Sequence, residues 1–124
     1  MIKEEILTEK ILKCAYAVHT ELGPGLFEKV YEECLFYELT KHGLLIQKQV
    51  ELSVEYKDIE IEAGYKLDLL VENKVIIELK SVKELQDIHT AQLLTYMKLS
   101  YIDIGFLMNF NVKSLKDGIK RYIL

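Results

Sequence analysis

Two acids and one lysine near the middle of the chain have the types and spacing of a hydrolytic site. Glu78 and Lys80 lie two residues apart in the apolar run Val75–Lys80, so their side chains share a face if this run is a β-strand. Asp68 lies late in the preceding alternating segment. Ionised groups in a buried strand cost several kcal/mol unless they are paired or bind a metal. The three side chains therefore predict a functional site on one face of a sheet.

The donor set decides which chemistry such a site could perform. Carboxylate oxygens are the ligands that Mg²⁺ and Mn²⁺ prefer. A lysine beside them can hold a phosphate, orient the attacking water or stabilise negative charge in a transition state. Asp68, Glu78 and Lys80 thus fit metal-assisted phosphodiester hydrolysis. In the alternative interpretation, Glu78 and Lys80 lie on a solvated outer face and Asp68 forms a surface salt bridge.

The hydrolytic interpretation makes a geometric demand on the turn between the two strands. Directly opposed residues on paired strands share a face. If the turn holds the three residues 72–74, Asp68 opposes Glu78. If the turn holds two residues, Asp68 opposes Ile77 and the carboxylates fall on opposite faces. The hypothesis therefore predicts the three-residue turn or an equivalent bulge.

Apolar spacing predicts the elements that must position these residues. Helical spacing is present in three segments, the last of which begins at Glu84 or at Asp87. The predicted helices cover 2–22, 26–42 and 84–99, and the predicted strands cover 50–56, 59–71, 75–80, 102–110 and 119–123. The order ααβββαβ(β) predicts an α+β fold with a mixed sheet flanked by helices. Parallel pairing of the third and fourth strands through the third helix would be a right-handed crossover.

Length and composition predict one domain spanning residues 1–124. The net charge of −4 excludes a strongly cationic coat, although charge is uneven along the chain. Residues 1–72 hold 15 acids and 8 bases, whereas residues 73–124 hold 5 acids and 8 bases. No apolar run approaches the roughly 20 residues of a membrane span, and the acidic start of the chain does not resemble a signal peptide. We therefore expect a cytoplasmic protein.

The cysteines and histidines carry no clear signal of chemistry. Cys14 and Cys34 are expected to be reduced core residues, with a disulfide between them as the alternative. His19 is expected to play a structural part near the turn Gly23–Gly25 rather than to act as a base. His89 has two interpretations, a surface position and a position at the rim of the site.

The segment Gly25–Tyr31 fits the pattern G-x-x-E-x-x-Y, and other segments continue the match in order along the chain. They are Val18-His19, Leu22–Gly25, Tyr65–Val71, Ile77–Lys80, Ala91–Tyr96, Asn109–Asn111 and Leu115–Ile119. On these residues the sequence resembles the GxxExxY proteins of the PD-(D/E)XK nuclease superfamily. The resemblance implies a restriction-endonuclease-like core, αβββαβ, preceded by an extra N-terminal helix.

The resemblance also implies a metal site. Asp68 and Glu78 would hold Mg²⁺ or Mn²⁺, together with the Leu79 carbonyl and, through water, Glu28. The sequence departs from the superfamily pattern before Asp68, where Leu67 stands in place of proline.

The remaining roles implied by the resemblance concern the substrate. Lys80 would be the catalytic lysine, which positions or activates the attacking water. Gln92 and Tyr96 match a Gln-x-x-x-Tyr motif and would contact the scissile phosphate or the waters on the metal.

Three functions remain open from the sequence. The first is a divalent-metal-dependent nuclease acting on DNA rather than RNA. The second is a non-catalytic module of this fold that binds nucleic acid or a protein partner, and the third is a hydrolase of small phosphorylated molecules. A basic cluster in the last dozen residues, with Lys113, Lys116, Lys120 and the single arginine Arg121, favours phosphate binding or forms an ordinary charged edge. We expect a homodimer or a larger protein partner, because cutting both strands needs two sites.

Overall fold

A computed structural model describes residues 4–124. Its helices are α1 (Glu5–Leu22), α2 (Glu28–Lys41) and α3 (Asp87–Ser100), and its strands are β1 (Ile46–Tyr56), β2 (Ile59–Val71), β3 (Val75–Lys80), β4 (Ile104–Asn109) and β5 (Ile119–Ile123). A short 3₁₀ turn, Leu115–Gly118, precedes β5. The predicted bounds of β2, β3 and β5 are confirmed. The predicted first helix began at Ile2, which lies outside the described residues.

The five strands form one mixed sheet in the order β1-β2-β3-β4-β5. β3 and β4 pair in parallel through α3, and the other neighbours are antiparallel. The predicted order of elements, with one helix before the αβββαβ core, is therefore confirmed.

Each face of the sheet carries its own apolar cluster. Side chains from α1 and α2 pack on Leu69, Ile77 and Leu79, whereas side chains from α3 pack on Leu70 and Ile76. Full burial of each of these side chains contributes roughly 1.5–3 kcal/mol. Because β3 is covered on both faces, any charged residue in it must lie in a largely dry environment.

The loop before α2 is held by the tyrosine of the G-x-x-E-x-x-Y pattern. The Tyr31 hydroxyl donates to the Gly23 carbonyl at 2.6 Å and accepts from the Leu26 amide at 3.1 Å. The Tyr31 ring is fully buried and stacks on Phe110, with 4.7 Å between ring centroids. Gly25, at φ 99°, takes a backbone conformation that other residues rarely adopt. The pattern thus fixes where α2 starts, and with it the direction of Glu28.

The structure answers the smaller questions raised by the sequence. Cys14 is buried, Cys34 is half-buried, and both are free thiols. His19 is buried, and its Nε2 lies 2.8 Å from the Val112 carbonyl, in agreement with a structural part. His89 accepts a hydrogen bond from the Gln86 amide at the start of α3.

Within residues 4–124, no helix combines the length and apolarity that crossing a bilayer requires.

Candidate active site

Asp68 and Glu78 meet across a three-residue turn, as the hydrolytic hypothesis demanded. Val71 pairs with Val75 and Leu69 pairs with Ile77, where the regular pairing ends, and Asp68 and Glu78 are the next residues on the two strands. The turn is made possible by Glu72 and Asn73, which both have positive φ. The two carboxylates therefore lie on neighbouring strands at the same level of the sheet.

Reciprocal hydrogen bonds lock the two carboxylates to each other's strand. The Asp68 amide donates to Glu78 Oε2 at 2.8 Å, and the Leu79 amide donates to Asp68 Oδ2 at 2.8 Å. These bonds take the place of ladder hydrogen bonds beyond the last β2–β3 pair. Each side chain is held by backbone rather than by flexible partners, so the geometry of the pair is set by the sheet itself.

Burial makes this pair electrostatically unusual. Glu78 is only 4% exposed. Burial first, and then the nearby Asp68 carboxylate, raise the pKa of Glu78 to about 8. Burial also raises the pKa of Asp68, against the lowering effects of the Leu79 amide and of the Lys80 charge. The alternative of a solvated outer face is therefore wrong for Glu78.

The side chains of β2 change from one face of the sheet to the other at Asp68. Leu67 packs on the α3 side of the sheet, whereas Leu69 packs on the side of α1 and α2. In a regular strand residues two apart share a face, so β2 twists over at Asp68. The side chains of β1 change face in the same way at Gln49, which has φ 53°. Gln49 lies between Lys48 and Val50, whose partners on β2 are the two neighbours of Asp68. This double irregularity brings polar side chains from three elements to one place.

The third strand also carries the predicted lysine. Lys80 is half-buried at the end of β3, and its charge lowers the pKa of both Asp68 and Glu78. Within residues 4–124 its ammonium forms no direct ion pair. Asn109 on β4 pairs with Lys80. The Asn109 side chain holds the segment that follows β3, because it bonds both the amide and the carbonyl of Val82. Lys80 is thus held near the carboxylates by its backbone.

Helix α2 supplies the wall opposite the sheet. The cleft beside the pair has a volume of about 370 Å³ and is lined by Glu28, Lys29, Glu32, Gln49, Asp68 and Leu79. Glu28 is exposed at the rim, and its charge raises the pKa of Asp68 and Glu78. The structure therefore places the predicted Glu28 and Leu79 at the cleft, together with Asp68.

Two cleft residues were missed by the sequence reasoning. Glu32 is only 6% exposed, and its Oε1 accepts a hydrogen bond from Gln49 Nε2 at 2.6 Å. The same Gln49 nitrogen lies 3.4 Å from Asp68 Oδ1. Burial raises the pKa of Glu32, whereas the bond from Gln49 lowers it. The one available signal was the spacing of Glu32, one helical turn after Glu28.

Helix α3 carries the two remaining predicted residues, Gln92 and Tyr96. Tyr96 is buried, and the pKa of its hydroxyl is raised first by burial and then by the charge of Glu78. The Tyr96 ring lies 5.9 Å from that of Tyr65. Gln92 lies one turn earlier and is half-buried, and within residues 4–124 it makes no hydrogen bond to these carboxylates. Tyr96 thus lies within the electrostatic influence of Glu78, and among the described residues Gln92 has no direct bond to the pair.

Comparison with known protein families fits this geometry. Residues 5–122 match the PD-(D/E)XK nuclease superfamily, which leaves only the ends of the chain outside the match. The chain belongs to this superfamily. No curated protein and no solved structure matches the chain closely enough to be counted as a relative. The PD-(D/E)XK assignment supports a nuclease-type fold of the restriction-endonuclease kind.

The sequence resemblance predicts Asp68 as the aspartate of the superfamily's motif and Glu78-Leu79-Lys80 as its (D/E)XK segment. On the same prediction, Leu67 takes the position of the proline. Leu67 is almost fully buried in the α3-side cluster, so an apolar side chain fills the position.

The donor set fits a hard divalent cation. Within residues 4–124, no three His, Cys, Asp or Glu side chains converge closely enough to enclose a metal by themselves. Mg²⁺ commonly takes only one or two protein carboxylates and completes its shell with waters and substrate phosphates. The second oxygen of Glu78 has no hydrogen bond within these residues, and that of Asp68 has only the long contact to Gln49. The pair thus matches the protein's share of a magnesium site.

Proposed function

We propose that the protein is a divalent-metal-dependent nuclease that hydrolyses phosphodiester bonds in DNA. The observation that carries the proposal is the pair of buried Glu78 and half-buried Asp68, cross-linked by backbone hydrogen bonds, with Lys80 two residues after Glu78 on the same strand. Withdrawing two neighbouring carboxylates from water opposes folding unless a counter-charge compensates them. A bound cation would provide that counter-charge.

Each residue of the site has a role that follows from its position. Asp68 and Glu78 would hold Mg²⁺ or Mn²⁺, with the Leu79 carbonyl and a water held by Glu28 as further ligands. The chemistry supplied by the bound cation is stabilisation of the negative charge that develops on the phosphate. Lys80, which has no carboxylate partner within residues 4–124, donates hydrogen bonds to the attacking water or to a phosphate oxygen.

Helix α3 would act on the substrate rather than on the metal. The Tyr96 hydroxyl, close enough to Glu78 for the carboxylate to affect its pKa, would donate to the scissile phosphate or to a water beside it. Gln92 lies one turn before Tyr96 and would contact the same phosphate from further out.

The proposal is tested by metal binding and cleavage in parallel. The variants are Asp68→Asn and Glu78→Gln, and the control is Glu60→Gln, which changes an exposed acid on β2. We expect the parent and the control to bind Mg²⁺ or Mn²⁺ by calorimetry and to cut DNA. Both site variants should lose binding and about 100-fold or more of the cleavage rate. Site variants that cut as fast as the parent would overturn the proposal.

One observation favours a second candidate, a non-catalytic module of the same fold. With its pKa raised to about 8, Glu78 is mostly protonated at neutral pH in the metal-free protein, which weakens any cation site. This candidate predicts that nucleic acid or a protein partner binds equally well with and without Mg²⁺. Metal binding that vanishes in Glu78→Gln argues against it.

A further inference from the structure

An exposed apolar patch that the proposed chemistry does not use lies at the start of α2, next in sequence to the cleft residue Glu28. Phe27 is 86% exposed, the highest value among the large apolar side chains in residues 4–124. Leu26 and Val30 flank it and are each 38% exposed. We call these three side chains the rim patch. Phe27 directly precedes Glu28, which lines the cleft.

Hydrogen bonds hold the backbone of the rim patch beside the end of β3 that carries Lys80. The Ser81 hydroxyl donates to the Leu26 carbonyl at 2.6 Å, and Ser81 directly follows Lys80. The Tyr31 hydroxyl holds the Leu26 amide from the other side. Phe27 precedes the first turn of α2, and its carbonyl accepts a hydrogen bond from the Val30 amide. The backbone that carries Phe27 is therefore fixed before a ligand binds, which lowers the entropic cost of binding.

We propose that Phe27 stacks on an unpaired base of the nucleic acid whose phosphate lies at Asp68 and Glu78. This inference rests on the proposed nuclease function and names its substrate class, namely single strands, frayed ends or flaps. A base inside a duplex is already stacked and paired. A side chain at the rim therefore meets a free base face only where the strand is unpaired.

The setting of the patch favours a nucleotide over other occupants. Three acids and Lys29 line the cleft, so a phosphate would bind there with the help of a cation held by the acids and of Lys80 beside the pair. The rim patch contains no charge, and the π-face of a base is the apolar part of a nucleotide that it can contact. A stable protein partner covers roughly 800 Å² on each side, far more than three side chains provide. The size and setting of the patch therefore suit a single base.

The test uses a single-stranded DNA that carries 2-aminopurine, a base whose fluorescence falls when it stacks. Affinity and fluorescence are measured in EDTA and again in Ca²⁺, beside a duplex of the same sequence. The variants are Phe27→Ala, Phe27→Leu and Phe27→Trp. The matched control is Tyr101→Ala, because Tyr101 is 84% exposed but lies before β4, at the opposite end of the sheet from Lys80.

We expect the parent to bind the single strand more tightly than the duplex. Loss of one stacked base weakens binding about tenfold. Phe27→Ala and Phe27→Leu should show this loss together with recovery of the fluorescence. Phe27→Trp and Tyr101→Ala should match the parent.

Two different results would overturn the inference. If Phe27→Ala binds as tightly as the parent, or if Phe27→Leu retains full affinity, the ring does not stack on a base, and the nuclease proposal is untouched. If the parent binds no DNA in either buffer, the proposed function fails and this inference fails with it.

Discussion

The backbone amide of Asp68 donates to the carboxylate of Glu78 at 2.8 Å, so the two acids are joined through the sheet rather than through a counter-ion. The Leu79 amide closes the link by donating to Asp68 at the same distance. Charge-assisted bonds of this kind hold both carboxylates in place. The bonds do not remove the repulsion between the two acids, and that repulsion has consequences for pH and for metal binding.

The first prediction concerns the stability of the metal-free protein. The pKa of Glu78 is raised from its ordinary value of 4.5 to about 8, so the folded state binds more protons than the unfolded state between these pH values. The free energy of unfolding should therefore fall as pH rises through this window, by at most about 1.4 kcal/mol per pH unit, and then level off. Urea unfolding in EDTA at a series of pH values measures the slope. Glu78→Gln should flatten it, and an unchanged slope in that variant would contradict the assignment.

The second prediction concerns the coupling of metal and protons. A cation needs the ionised form of Glu78, whose pKa is about 8, so binding below that pH must displace a proton. The affinity for Mg²⁺ should rise up to about tenfold per pH unit below pH 8 and level off above it. Calorimetry in buffers of different ionisation enthalpy measures the proton release, which we expect to be close to one at pH 6.5. Binding of Mg²⁺ with no proton release would mean that Glu78 is not a ligand.

The β2–β3 hairpin that carries Asp68 and Glu78 could be predicted from the sequence, because alternation and turn residues are local patterns. Alternation over 59–71 predicted the second strand, the hydrolytic hypothesis required the three-residue turn 72–74, and the observed pairing of Val71 with Val75 confirms that turn. The burial of Glu78 required one more step, namely that β3 is covered on both faces. Its run of apolar neighbours indicated this.

Other features of the fold could not be predicted from the sequence, because they depend on tertiary contacts. The predicted first strand began at Val50, so Gln49 lay outside it, and nothing in the residue type indicates its positive φ. Alternation also predicted the two strands of the β1–β2 hairpin. The structure leaves Tyr56, Ile59 and Ile61 exposed, since alternation records which side chains share a face but not whether that face is covered.

The third prediction tests Gln49 as a positioning residue. Its side-chain amide donates to Glu32 at 2.6 Å and lies 3.4 Å from Asp68, so it links α2 to the carboxylate pair. Gln49→Ala removes the hydrogen bond to the buried Glu32 and should destabilise the fold by about 1–3 kcal/mol. Cleavage should fall about tenfold or more through a weaker metal affinity, as with other groups that orient metal ligands. The control is Gln47→Ala, an exposed glutamine on the same strand. Equal metal affinity in the two variants would show that Gln49 acts on stability alone.

The fourth prediction concerns the tyrosine of the G-x-x-E-x-x-Y pattern. The Tyr31 hydroxyl satisfies the Leu26 amide and the Gly23 carbonyl, and Tyr31→Phe would leave both without this partner while the stacked ring stays in place. We expect a loss of about 1–3 kcal/mol in the free energy of unfolding, measured by denaturant titration. The control is Tyr37→Phe on the same helix, where the side chain is exposed and the change should be within about 0.5 kcal/mol. Because the loop also sets the start of α2, Tyr31→Phe should reduce DNA cleavage at temperatures where the protein is still folded. If the two variants are equally stable and equally active, the hydroxyl does not hold the loop, and the position of Glu28 must be fixed by packing alone.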